Sequence, residues 1–411
     1  MISISAMTGE PAMDPLAVTP TRHDFSALRA AMQRYVDQQI LPGVSYAILQ
    51  GRDIVDVHSV GWADKEREAP LRTDHVFRVF SNTKLVTSSA VMLLVEQGRI
   101  GLDDPIERYI AQLGQRRVLR PAATSIDDTE PAKGSITIRH LLSHSSGLSY
   151  GLLDPGTLMF KAYTEHQVLH PGKTLPEMMD ALAVLPLSFH PGTAWEYSVA
   201  TDVLGRLVEV VSGQRLDAFF REHIFAPLGM VDTMFTLPRE QHHRLVAYYA
   251  GADMKDPMKP GLTRADQSPY PGAYLQPFAK LSGGGGLVST LSDMVALVRS
   301  LLPDGPTLLK PATIAQMMTN QLPPGVCLRF PDAGDVQGKG FGLAGAVTLA
   351  PSAIDPPQSS GELQWGGIAG THWWVAPQVN LAAVLMTQRQ MAFWHPFSFE
   401  FKQLAYRAVA Q

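Results

Sequence analysis

Apolar positions along the chain switch between a helical and a strand period, and the switches mark out its elements. Phe25, Leu28, Met32, Tyr35 and Val36 recur at threes and fours, which predicts a helix stopping near Leu41-Pro42-Gly43. "GVSYAILQ" and "DIVDVHSVGWAD" are rich in β-branched residues and predict two strands joined at Gly51-Arg52-Asp53. From Ser81 the helical period returns through Val86, Val91, Met92, Leu94 and Val95, ending at Gly98, where glycine takes a left-handed cap without penalty. Before all of this, residues 1 to about 22 carry three prolines and no apolar period, and read as a tail or surface strap.

Residues 100 to 240 read mostly as helices and long loops, with helical segments in "TIRHLLSHSSG", "LPEMMDALAVL", "TDVLGRLVEVVSG" and "RLDAFFREHIF". After Gly283-Gly284-Gly285-Gly286 comes "STLSDMVALVRSLL", whose Thr290 and Asp293 resemble a capping box, then a helix near 311 to 320. "GFGLAGAVTL", "GELQWGGIAG", "THWWVAP" and "NLAAVLMTQ" return to strands, and a last helix spans roughly 396 to 409. The layout implies an α+β chain: a sheet-and-helix part built from residues 23–100 and 280–411, with a mainly helical part, 101–279, inserted between. No internal repeat is visible.

Composition agrees with a globular chain. Of 411 residues 45% are apolar and 18% charged, enough to bury one large core or two linked ones. The net charge of −4 and the lack of a Lys/Arg stripe argue against a nucleic-acid partner. Cys327 is the sole cysteine, so no internal disulfide or thiolate-rich metal site forms, and it reads as a buried, inert thiol. No run reaches the roughly 18 apolar residues of a membrane span, and the start has no basic and apolar leader pattern. Together these predict a soluble, cytoplasmic protein without a membrane partner.

Two serines compete for the chemistry. Gly147-Leu148-Ser149-Tyr150-Gly151 spells G-x-S-x-G, but the segment before it reads as a short helix closed at Gly147 and "LLDPGT" follows it. A nucleophile elbow needs a strand entering and a helix leaving, and Ser149 has neither. His140 and His144 stand one helical turn apart, as zinc ligands do, yet Leu141 occupies the place of the H-E-x-x-H glutamate, so hydrogen-bonded structural histidines are expected and no metal.

The other serine opens Ser81-Asn82-Thr83-Lys84. On a helix, residues three apart share a face, so Lys84 can reach the Ser81 hydroxyl, and the positive helix N-terminus favours negative charge developing there. Alone, S-x-x-K arises by chance on the order of once per chain of this length, and a serine cap beside an exposed lysine explains it equally. Tyr197-Ser198 follows the turn at Pro191-Gly192 and can present a phenol to that pair, or simply fill the core. Trp365-Gly366-Gly367-Ile368-Ala369-Gly370 lies on a strand whose glycines allow close backbone approach, or mark a bulge.

With these three elements, "FRVFSNTKLVTSSAVMLLVEQGRIGLDDPI", "ITIRHLLSHSSGL", "HPGTAWEYSVATDVLGRLVE", "SGGGGLVSTLSDM" and "LQWGGIAG" together resemble, in order from about residue 24 to 410, the serine hydrolases of the penicillin-recognising fold. The resemblance is strongest to the class C β-lactamase-like carboxylesterases called family VIII. It implies a mainly antiparallel sheet flanked by the terminal helices, an all-helical domain, and a site between them. It further implies Ser81 as acylated nucleophile, Lys84 and Tyr197 sharing general base and acid work, and an oxyanion hole from the Ser81 and Ile368 amides. Tyr150 would lie near the mouth of the site, and no cofactor is implied.

The chain departs from β-lactamases in two places. Tyr197-Ser198-Val199 replaces Y-x-N, and Trp365-Gly366-Gly367 stands where K-T-G would supply a cation for a substrate carboxylate. Both departures favour small neutral esters over penicillins. Tyr150, Trp365, Trp373 and Trp374, with Gly366 and Gly367, are candidates to line an apolar pocket. Acyl transfer or amide hydrolysis at the same site, and an inactive binding protein of the same fold, are the alternatives.

Overall fold

Strands from both ends of the chain meet in one antiparallel sheet. The computed structural model describes residues 14–331 and 334–410. Eight strands, β1 Gly43–Gln50, β2 Asp53–Asp64, β3 Ala69–Pro70, β4 Lys339–Phe341, β5 Ala346–Thr348, β6 Leu363–Gly366, β7 His372–Ala376 and β8 Leu381–Met386, line up as β4-β5-β6-β7-β8-β1-β2-β3. Ser45 faces Met386 across the junction of the two halves, and Gly43 faces Gly61 across the first hairpin.

Both faces of this sheet are covered, which is why all six residues of β8 are buried. Leu381, Ala383 and Leu385 point to the terminal helices α1, Ser26–Asp37, and α5, Pro396–Ala410, and pack with Met32, Tyr46, Phe397 and Phe401. Ala382, Val384 and Met386 point the other way, into the larger core shared with α2, Thr83–Glu96, α3, Ala200–Ser212, and α4, Leu291–Arg299. Arg34 and Tyr35 on α1 both reach Glu400 on α5 at 2.7 Å, so the two chain ends are tied together.

Several expectations change. "GFGLAGAVTL" is a hairpin rather than one strand, because Gly342 N–H donates to the Gly345 carbonyl at 2.8 Å and reverses the chain. Thr290 caps α4 by accepting from Asp293 N–H, but the reciprocal half of the box is missing: the Asp293 carboxylate accepts from Thr233 Oγ1 at 2.7 Å and Asp232 N–H at 2.8 Å instead. The helix near 311 ends early, at Met317. Two short hairpins, Arg117–Leu119 with Thr129–Pro131 and Tyr249–Gly251 with Leu262–Arg264, interrupt the helical middle. Cys327 is only half-buried. Residues 1–13 of the expected tail lie outside the described residues, while Thr19 N–H bonds the Ile54 carbonyl at 2.8 Å, as a strap would.

Candidate active site

Ser81 sits on a single tight turn, Phe80–Asn82, that leads into α2. Phe80 is held in the left-handed region at φ 42°, a backbone state costing a non-glycine residue of order 1–3 kcal/mol. Its ring is locked against Tyr248 at 5.6 Å and edge-on to Tyr274 at 5.8 Å, contacts that hold the turn in place. One turn on, Lys84 is 3% exposed and its Nζ stands 3.3 Å from Ser81 Oγ.

A buried ammonium needs partners. Lys84 Nζ donates to the Gly284 carbonyl at 2.7 Å and lies over the Tyr197 ring, 4.6 Å from its centroid. The glycine run is strapped to α2 on both sides: Thr87 Oγ1 donates to the Gly283 carbonyl at 2.7 Å, and Leu287 N–H to Thr83 Oγ1 at 3.2 Å. The run therefore works as a wall of the site, with its Gly284 carbonyl as the anchor for Lys84.

Tyr197 completes the group by placing its hydroxyl 2.7 Å from Ser81 Oγ. Two loops running side by side hold it there. Gly192 N–H donates to the Ser145 carbonyl at 2.7 Å, Glu196 N–H to His144 at 3.0 Å, and Val199 N–H to Ser149 at 3.1 Å. Tyr150 stacks on Tyr197 with centroids 5.6 Å apart and planes at 4°. Burial first, then the neighbouring Tyr197 and Asp202, push the Tyr150 phenol well above its ordinary pKa, so it stays neutral. His144 packs 5.0 Å from the Tyr197 ring, and its Nδ1 accepts from Ser198 N–H at 3.3 Å and lies 3.1 Å from Ser198 Oγ. Burial and then the Lys84 charge hold His144 well below the usual histidine range, which keeps it neutral.

The third element arrives on β6. A Cβ on Gly367 would lie 2.6 Å from the Val79 carbonyl, and one on Gly366 would lie 2.5 Å from His372 Nδ1, so only glycine lets this strand end meet the Ser81 turn. Among the described residues the Ile368 amide has no hydrogen-bond acceptor within the chain, although its carbonyl is taken by Ala392 N–H at 2.9 Å. Trp365 is buried against Tyr197, 5.3 Å away.

Trp373 and Trp374 do not join the site. Strand alternation sends Trp373 into the larger core and Trp374 to the opposite face, 5.2 Å from Tyr406 on α5. The aromatic surface comes instead from Phe330, Phe393 and Trp394, which sequence reasoning missed. Trp365 meets Phe393 at 5.2 Å, Phe330 meets Trp394 at 5.3 Å, and Trp394 is 42% exposed. Phe330 lies on a short hairpin strand and the other two in an irregular segment, where no period marks which side chains converge.

Ser149 has no elbow. Its N–H donates to Tyr163 Oη at 3.0 Å, and a Cβ on the preceding glycine Gly147, at φ 83°, would collide with the Phe189 carbonyl. The pentapeptide is the support on which the Tyr197 loop rests. His140 and His144 also part company: the helix ends at Leu142, His140 Nδ1 accepts from Thr137 N–H, and His144 lies beyond at φ 55°. Among the described residues no group of three or more His, Cys, Asp or Glu could hold a metal ion, and no helix is long and apolar enough to cross a membrane.

Known proteins share this arrangement of chain. The esterase EstB of Burkholderia gladioli is 32% identical over 388 residues, covering 91% of this chain and 93% of that protein. An acyltransferase, calJ, of Penicillium decumbens is 33% identical over 80% of this chain and 79% of its own. Among solved structures, EstCE1, described as a hydrolase with promiscuous acyltransferase activity, superposes with a TM-score of 0.79 at 27% identity, over 92% of this chain and 97% of its own. The characteristic sequence of the Beta-lactamase family matches from residue 28 to residue 394, and this chain belongs to that family.

Proposed function

We propose that the protein is a serine carboxylesterase of the family VIII kind that hydrolyses small neutral esters through an acyl-enzyme on Ser81. The observation that carries the reading is the convergence of Lys84 Nζ and Tyr197 Oη on one hydroxyl, at 3.3 and 2.7 Å. Ser81 Oγ attacks the ester carbonyl carbon and passes its proton to the member of the Lys84 and Tyr197 pair that is unprotonated, an amine or a phenolate, while the other keeps its proton. The tetrahedral oxyanion is received by the amides of Ser81 and Ile368, a contribution worth several kcal/mol in such sites. Collapse breaks the bond to the alcohol, which leaves with the proton. Water then repeats the cycle on the acyl-enzyme, releasing the acid and restoring Ser81.

Neutral esters suit the site because Trp365 offers no cation to a substrate carboxylate. A chain with a single cysteine needs no oxidising compartment, which supports action in the cytoplasm on a small-molecule partner. The test is Ser81→Ala: hydrolysis of a short-chain aryl ester and labelling by a serine-directed phosphonate should both vanish. Activity retained in Ser81→Ala and lost in Ser149→Ala would overturn the reading.

Acyl transfer to an alcohol is the second reading, favoured by the acyltransferases among the relatives. Product analysis with water and an alcohol in competition separates it from hydrolysis.

A further inference from the structure

Asp202 lies in the first turn of α3, is 2% exposed, and takes no part in the chemistry assigned above. Asp202 is buried on that helix alongside Val203, Leu204, Leu207 and Val208, so a carboxylate here is expensive unless it is satisfied. Its Oδ1 accepts from Ser282 Oγ at 2.6 Å and from Gly284 N–H at 3.3 Å. Gly284 is the residue whose carbonyl holds Lys84 Nζ at 2.7 Å. A Cβ added to Gly284 would stand 2.8 Å from Asp202 Oδ2 and 3.5 Å from Lys84 Nζ, so carboxylate, loop and ammonium share one contact point.

Resting on the serine-esterase reading, we propose that Asp202 is the positioning residue for Lys84: it clamps the Gly284 peptide so that its carbonyl aims the ammonium at Ser81. The peptide is gripped from both ends, its N–H by Asp202 and its carbonyl by Lys84. Removing the grip on the N–H lets the Gly284 carbonyl turn, and Lys84 turns with it. The carboxylate also supplies negative charge facing Lys280. Burial brings the Lys280 ammonium down to about 8, with Asp202 opposing part of that fall. A helix-dipole role alone would stabilise α3 without touching the reaction.

Asp202→Ala removes the oxygen that grips the Gly284 N–H, and reading rates rather than stability separates that grip from a helix-dipole role. Rates are expressed per Ser81 labelled by the phosphonate, so that loss of folded protein does not count. The expected result is a fall in kcat of at least about tenfold on a short aryl ester, with KM within about twofold and labelling slowed by a matching factor. Ser282→Ala, which deletes one contact to the same Oδ1, should lower kcat in the same direction by a smaller factor. It decides the matter if Asp202→Ala does not fold. A kcat per labelled Ser81 within about twofold of the parent, in whichever variant folds, overturns the proposal while leaving the esterase reading intact. Failure of the parent itself to be labelled at Ser81 overturns the esterase reading and this proposal together.

Discussion

The Tyr197 hydroxyl lies 2.7 Å from Ser81 Oγ, and the ring that carries it stacks on Tyr150, with Lys84 Nζ set against both rings, 4.6 Å from the Tyr197 centroid and 5.9 Å from that of Tyr150. Deleting only the oxygen should therefore leave the packing whole. Tyr197→Phe is expected to lower kcat by about 10²- to 10⁴-fold, the usual worth of a positioned acid or base, with KM nearly unchanged and a thermal midpoint close to the parent. Steady-state kinetics and a melting curve check both halves. A loss of stability without a loss of kcat would mean that the ring, and not the hydroxyl, is what this position supplies.

Ser149→Ala should keep turnover within a few-fold of the parent. The contacts that matter at Ser149 are made by its main chain, which donates to Tyr163 and accepts from Val199, and alanine preserves both. The hydroxyl itself only helps satisfy the Glu196 carboxyl, which burial raises above its usual range. A kcat loss comparable to that of Ser81→Ala would refute this.

How much of this was legible in the sequence depends on what set each feature. The first two strands are found at the bounds that β-branched runs predict, Gly43–Gln50 and Asp53–Asp64, because each spans the sheet between two turn signals. Motif blocks led to Ser81, Lys84, Tyr197 and the Trp365 strand, which the fold brings together. Phe330, Phe393, Trp394 and Asp202 were invisible because their significance lies in convergence from distant segments, which no local period records. The pair Trp373 and Trp374 illustrates the opposite error: in a strand, neighbours face opposite ways, so two adjacent tryptophans could never both have lined one pocket.

Gly367→Ala should cripple the reaction and, by overpacking a tight seam, lower stability by about 1–3 kcal/mol. The new methyl would meet Thr371 Oγ1 at 2.5 Å and the Val79 carbonyl at 2.6 Å, in the seam between β6 and the Ser81 turn. Displacing that seam moves the Ile368 amide relative to the Ser81 amide. Loss of one oxyanion donor costs about 10²- to 10³-fold in kcat. Rates within about threefold of the parent would show that the Ile368 amide is not a donor to the oxyanion.

The aromatic wall predicts selectivity for large apolar groups. Rings run from Tyr197 through Trp365 and Phe393 to the half-exposed Trp394, where Phe393 and Trp394 meet edge-on at 5.0 Å. An acyl or alcohol group long enough to reach Trp394 gains burial worth about 0.8 kcal/mol per methylene, close to fourfold in kcat/KM. Trp394→Ala should flatten that rise across a series of aryl esters from acetate to octanoate, while acetate turnover stays near the parent value. An equal loss on every ester would count against a selectivity role for the wall.

Acidification should destabilise the protein between about pH 6.5 and 4. Burial, then the nearby Lys402 charge, lowers His372 to about 3, and burial with Arg389 lowers His395 to about 4; His144 is held low in the same sense. In the unfolded chain histidines take up protons near pH 6.5, which the native state refuses until much lower pH. Their contribution is therefore full above pH 6.5 and is lost as pH falls toward the folded values. Asp293, raised to about 6 by burial, has the opposite sign: the native state takes up its proton first, so its contribution is present below about pH 4 and lost as pH rises through 6. Glu196 acts with Asp293. His58, His75 and His140 are also held low by burial, so six histidines held low stand against two acids held high and unfolding takes up protons on balance, each whole proton contributing about 1.4 kcal/mol per pH unit. Urea unfolding at pH 7, 6, 5 and 4 measures it, and His372→Gln should reduce the slope by about one proton. A stability that is flat or rises on acidification across this window would show that the buried acids outweigh the histidines.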